Sequence, residues 1–207
     1  MFILYAIPAG ILVGLLLGGR LQGLGRLQFR WVSVFLLGLA VQLVLFSDAV
    51  TTWIGDAGVP IYVGSTFAVA FVIAANFRIR GMPIVLAGAA SNLAAIVANG
   101  GYMPTSTAAL EALGHTFRGG YSNSSYDPDP ALPWLTDIFA MPAWLPAANV
   151  FSIGDILIGL GVIIVIASAM RARVAPTVDA SATRRAASVT APNVPSADPP
   201  TPDSSAA

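Results

Sequence analysis

Asp137 and Asp155 are the side chains of this chain whose types best suit chemistry. Two carboxylates that share a site can hold one proton between them. One then activates water as a base and the other protonates a leaving group as an acid. Asp155 stands three residues after Ser152, the spacing of a capping box at a helix start. A purely local role is therefore the competing account for that acid. Gln42, Ser65, Thr66, Ser91, Asn92 and Asn99 add amides and hydroxyls within apolar surroundings. Asn92 and Asn99 are two helical turns apart, on nearly one face, and Asn99 runs into Gly100-Gly101. Such groups in membrane helices commonly just bond a neighbouring helix, at around 1 kcal/mol each. That account is the stronger one for Gln42, Ser65 and Thr66. His115 and Arg118 are the basic-capable groups nearest Asp137, and either would pair with an acid. A solvent-exposed pair of loop residues is the simpler reading, as a solvated helix face is for Glu111.

What must position these residues is a set of apolar helices. The chain is 56% hydrophobic and only 10% charged, against about a quarter charged in soluble domains. Five apolar stretches of spanning or near-spanning length predict helices near residues 2–19, 31–47, 60–77, 82–100 and 151–170. Arginines mark every other gap. Arg20, Arg26 and Arg30 follow the first stretch, Arg78 and Arg80 the third, and Arg171 and Arg173 the fifth. By the positive-inside rule the N-terminus is outside and the C-terminus cytoplasmic. The first stretch has no charged residue before it, so it reads as a retained helix rather than a cleaved signal. These assignments give residues 1–170 as a transmembrane domain, with an outer loop over 101–149.

Within that loop, Ser106 to Leu113 predicts a short helix stopped by Gly114. Residues 133–146 predict a tryptophan-bearing segment at the membrane interface. Residues 171–207 are rich in Ala, Ser, Thr, Pro and Asp and read as a disordered cytoplasmic tail. Gly10, Gly14 and Gly18 form a small-residue stripe for close helix packing, within the bundle or, alternatively, with a partner helix. Depth along the helices puts Gln42, Asn92, Asn99, Ser152 and Asp155 in the outer half of the membrane.

Composition removes several classes of function. There is no cysteine or lysine, and His115 is the one histidine. Disulfides, thiolate sites, lysine-based catalysis and a His-rich metal cluster are excluded. No cofactor or metal motif is present. The formal net charge is zero, which gives no reason to expect nucleic-acid binding.

Asn99-Gly100-Gly101-Tyr102-Met103-Pro104 and Phe151-Ser152-Ile153-Gly154-Asp155-Ile156-Leu157-Ile158 resemble a bacterial membrane family of unknown function, family 5317. The resemblance covers about residues 1–170 and implies a topology but no activity. Val150 to Val162 is also similar to the last motif of lipoprotein signal peptidases, Phe-Asn-x-Ala followed by a catalytic aspartate. Asp155 matches that aspartate, with Ser152 in place of the asparagine and Gly154 in place of the alanine. Asn92 matches the asparagine of their other motif. Ala95 and Ile96 stand where that motif has its catalytic aspartate and arginine, so only Asp137 is left to supply a second acid.

The sequence therefore predicts an all-α protein: a five-helix transmembrane bundle in the bacterial inner membrane, with a long outer loop and a disordered C-terminal tail. The leading functional reading is non-enzymatic. A polar pocket at the outer end, built from Gln42, Asn92, Asn99, His115, Ser152 and Asp155, would bind a lipid head group, a peptide or a partner helix. The alternative is an intramembrane aspartyl hydrolase using Asp155 and Asp137. A small transporter or transporter subunit ranks third, because no internal repeat is visible.

Overall fold

The computed structural model describes residues 2–51, 53–114, 124–125 and 127–172. The chain divides into two units, Met1–Arg173 and Val174–Ala207, and the account below concerns the first. His115, Arg118 and the tail beyond Ala172 lie outside the described residues.

The described chain is mostly helical. Five apolar helices dominate: α1 (Ile3–Leu16), α2 (Val32–Leu45), α4 (Gly58–Ala75), α5 (Met82–Ala98) and α7 (Ile153–Arg171). Two short helices, α3 (Asp48–Thr51) and α6 (Thr107–Ala112), lie between them. The segments Gly55–Ala75 and Ile153–Arg171 are long and apolar enough to cross a membrane, and α1, α2 and α5 are shorter apolar helices. All five fall inside the apolar stretches read from the sequence, to within a residue or two at the ends. The α6 helix fills most of the short loop helix expected there.

Neighbour relations run α1–α7–α5–α4–α2, so α7 lies between the first helix and α5. Glycines make the α7 contacts close. Gly10 and Gly14 of α1 face Ile163, Ile166 and Met170 of α7. The small-residue face is thus occupied within the chain. Gly18 does not share it. The helix ends at Leu16, and Gly18 has φ of 76° with nothing within 4 Å of a Cβ placed on it. It turns the chain instead of packing it. Gly81 starts α5 with φ of 91°, against the Gly161 carbonyl, a place that only glycine fills without strain.

Two buried clusters hold the helices together. Leu45, Tyr62, Ala95, Ile96 and Met103 join α2, α4 and α5. Ile73, Met82, Val85 and Val165 join α4, α5 and α7. The loop after α5 departs from the all-α expectation by adding short strands. These are β1 (Met103–Pro104) parallel to β2 (Ser124–Ser125), and β3 (Phe139–Ala140) antiparallel to β4 (Val150–Phe151). An isolated bridge pairs Thr105 with Asp137. Two-residue pairings are fixed by where the loop is anchored, and they carry no sequence period that could be read in advance.

Candidate functional site

The site begins at the crossing of α5 and α7. A Cβ on Gly88 would collide with the Gly154 carbonyl, and one on Gly154 would collide with the Asn92 amide. The two glycines let the backbones approach until Asn92 lies across the first turn of α7. Asn92 Nδ2 donates to Asp155 Oδ1 at 2.9 Å, and the Ser152 hydroxyl donates to Asn92 Oδ1 at 2.8 Å. Ser152 Oγ accepts the Asp155 backbone N–H at 3.0 Å, while the Ser152 backbone N–H donates to Asp155 Oδ2 at 3.2 Å. The capping box expected from the spacing is present. It is extended by an amide from another helix, so both oxygens of Asp155 have a donor. Ser152 is 0% exposed.

Asp137 arrives from a different direction. Its backbone N–H donates to the Pro104 carbonyl and its carbonyl accepts from the Ser106 N–H, both at 3.0 Å. These bonds frame the Thr105–Asp137 bridge and fix the acid beside the start of the loop. The residue is 8% exposed, and its carboxyl accepts no hydrogen bond among the described residues. Burial first, and the Asp155 charge second, push the Asp137 carboxyl from an ordinary 3.8 up to about 7. The two acids are therefore near enough to sense one another. Thr105 is 2% exposed, and its hydroxyl has no partner among the described residues. Paired residues of neighbouring strands share a face, which puts that hydroxyl on the Asp137 side. The Ser91 hydroxyl, next along the chain from Asn92, is also buried without a partner among the described residues.

Other predicted site residues are engaged elsewhere. Asn99 lies just past the end of α5. Its Nδ2 donates to the Ala95 and Ala131 carbonyls, and its Oδ1 accepts the Ala131 N–H. It clamps the loop after α5 to the helix and makes none of the Asn92 contacts. Gln42 donates to the Ser65 and Thr66 hydroxyls at 3.2 Å each, which ties α2 to α4. Asn76 does for Arg30 what Asn99 does for Ala131, bonding both its N–H and its carbonyl. In place of one open pocket formed by Gln42, Asn92, Asn99, Ser152 and Asp155, the structure has separate, internally bonded groups. Two cavities, of about 580 and 410 Å³, have none of these residues in their walls.

Thr105 is the residue that sequence reasoning missed. Nothing local marks a loop threonine as buried beside an acid 32 positions along the chain. Gly88 and Gly154 were missed as well, although their job in seating Asn92 follows from the absence of a side chain.

A mostly helical protein, with two helices long and apolar enough to cross a membrane and a buried and a half-buried aspartate brought in by different elements, is the class these features define. The model of a family of unknown function, DUF5317, matches residues 26–167, and the chain belongs to that family. The match takes in Asn92, Asp137, Ser152 and Asp155 and leaves out α1. No curated protein and no solved structure matches the chain.

Proposed function

We propose that the chain is a five-crossing membrane protein carrying a two-aspartate hydrolytic site at its outer end. Membrane embedding is supported by the outward side chains. Leu16, Leu37 and Leu43 are exposed, and a soluble monomer does not present such continuous apolar surface. In the two longest apolar helices, only 22% and 39% of the spanning windows are buried, less than the core helix of a soluble protein would show, which supports lipid-facing helices. Exposed Trp53, Trp134 and Trp144 suit an interfacial belt on the outer side. The alternation of arginines supports an orientation with the N-terminus outside and the C-terminus cytoplasmic.

The observation that carries the hydrolytic reading is that the buried Asp137 carboxyl feels the charge of Asp155. A buried acid raised to about 7 beside a second carboxylate is half of the machinery of aspartic hydrolysis. In the proposed division of labour Asp137, whose carboxyl has no donor among the described residues, is the acid, and Asp155, which has donors on both oxygens, is the base. In this scheme Asp155 takes a proton from water as it adds to a substrate carbonyl, and Asp137 protonates the carbonyl oxygen; on collapse Asp137 takes back the hydroxyl proton as the C–N or C–O bond breaks, and Asp155 gives its proton to the leaving amine or alkoxide. The substrate class is a peptide or ester bond presented at the membrane surface.

The test uses purified protein in lipid nanodiscs and single-span peptides with varied outer flanks, with new termini read by mass spectrometry. The expected result is cleavage by the wild type and none by folded Asp137→Asn or Asp155→Asn. Cleavage that survives either change contradicts the scheme.

A non-catalytic reading rests on another observation: Asn92, Ser152 and Asp155 satisfy one another. On that reading the network fixes the α5–α7 crossing, and the outer face binds a lipid head group, a peptide or a partner helix. Asp155→Asn is then tolerated, since an amide oxygen still accepts a capping bond.

A further inference from the structure

The larger cavity lies at the other end of the bundle from Asp155, where α7 finishes. It measures about 580 Å³ and is walled by Val13 of α1, Leu17 just past its end, Leu27, and Ile163, Ile164 and Ala167 of α7, with Arg80 and Arg171 also on its lining. Among the described residues neither guanidinium has an acidic partner. The pairing of an apolar wall with two cations sets the ligand chemistry. A free inorganic anion would satisfy the arginines and leave the apolar wall wet. A neutral lipid would fill the wall and leave the charges unmatched.

We propose that this cleft binds one anionic phospholipid, its phosphate between Arg80 and Arg171 and an acyl chain against Val13, Leu17, Ile163 and Ile164. Three further observations support it. Gly23 packs onto the Ala169 carbonyl and Met170, and the Arg20 N–H donates to the Met170 carbonyl at 2.8 Å. These contacts hold the loop before Leu27 against the end of α7, so one wall of the cleft is preformed. Asn76 bonds Arg30 at both its N–H and its carbonyl, which fixes the far end of the same loop. Arg80 sits just before Gly81, whose close contact with Gly161 holds that turn against α7. Arg171 would be favoured at a helix C-terminus in any case, but that does not account for Arg80 lining the same cleft.

The experiment is native mass spectrometry of the full chain released from phosphatidylcholine nanodiscs doped with phosphatidylglycerol. The wild type should retain one phosphatidylglycerol in preference to phosphatidylcholine. Arg80→Gln/Arg171→Gln should lose that preference by roughly thirtyfold, about fivefold for each basic residue at the surface. Arg20→Gln/Arg30→Gln, which removes as much charge from the same end, should keep it. Inorganic phosphate should not compete. An unchanged preference in the first double variant overturns the proposal. So does an equal loss in the second, which would show a diffuse charge effect. Full competition by phosphate would reduce the site to an anion site without a lipid.

Discussion

Asp137 couples the stability of the fold to pH. Its carboxyl is raised from 3.8 to about 7 in the folded chain, so the folded state holds a proton that the unfolded state gives up. The resulting stability is complete below 3.8 and is lost as pH rises through about 7. At about 1.4 kcal/mol per pH unit the loss has an upper bound of about 4 kcal/mol. Thermal unfolding in detergent should therefore show the wild type losing stability between pH 4 and 8, and Asp137→Asn staying nearly flat, because its amide never ionises. Asn92→Ala makes a different prediction. It strands Asp155 Oδ1 and the Ser152 hydroxyl in a buried place, at a cost of about 1–3 kcal/mol. A denaturation midpoint equal to wild type would show that water replaces the amide. The Ser152–Asp155 box was legible in the sequence because it is local. The burial of Asp137 was not, since only tertiary bonds to Pro104 and Ser106 place that loop residue. Asn99 was misplaced because α5 stops one residue before it, so its side chain turns to Ala131 and leaves the face of Asn92.

At the level of elements, glycines decide which helices touch. Gly88→Ala meets backbone at the α5–α7 crossing and should separate the helices, lowering stability by a few kcal/mol and displacing Asn92 from Asp155. Gly14→Ala meets chiefly the Met170 side chain, which is flexible and yields, so its cost should be smaller. Gly64→Ala has nothing within 4 Å and should be neutral or slightly stabilising through helix propensity. Thermal unfolding of the three variants in one detergent checks the order, and equal effects would mean that the crossing is loose. The helices themselves were legible because twenty-residue apolar runs admit little else in a chain this poor in charge. The partnership of α5 with α7 was not, because a long loop separates them and small residues carry no period that names a partner. The expected glycine face held at Gly10 and Gly14 and ended there, since the chain turns at Gly18.

For the whole molecule, the proposed orientation makes a direct demand. A reporter fused after Met170 should behave as cytoplasmic and one inserted near Ser124 as external; the reverse pattern would move both aspartates to the cytoplasmic side. The α1 and α2 helices have 14 residues each, about 21 Å at 1.5 Å per residue, against a hydrocarbon core of about 30 Å. For both to cross, as proposed, non-helical flanks and local thinning of the bilayer would have to cover the difference. On the proposed topology such thinning would bring a substrate bond to the level of the aspartates.

The electrostatic link between the two acids is what the hydrolytic account stands on, and carboxyl carbon NMR reads it directly. In full-length protein labelled at aspartate, Asp137 should titrate with a midpoint near 7 in the wild type. In Asp155→Asn the midpoint should fall, while remaining above 3.8 because burial persists. A midpoint near 3.8 in the wild type, or one that does not move when Asp155 is neutralised, would contradict the account.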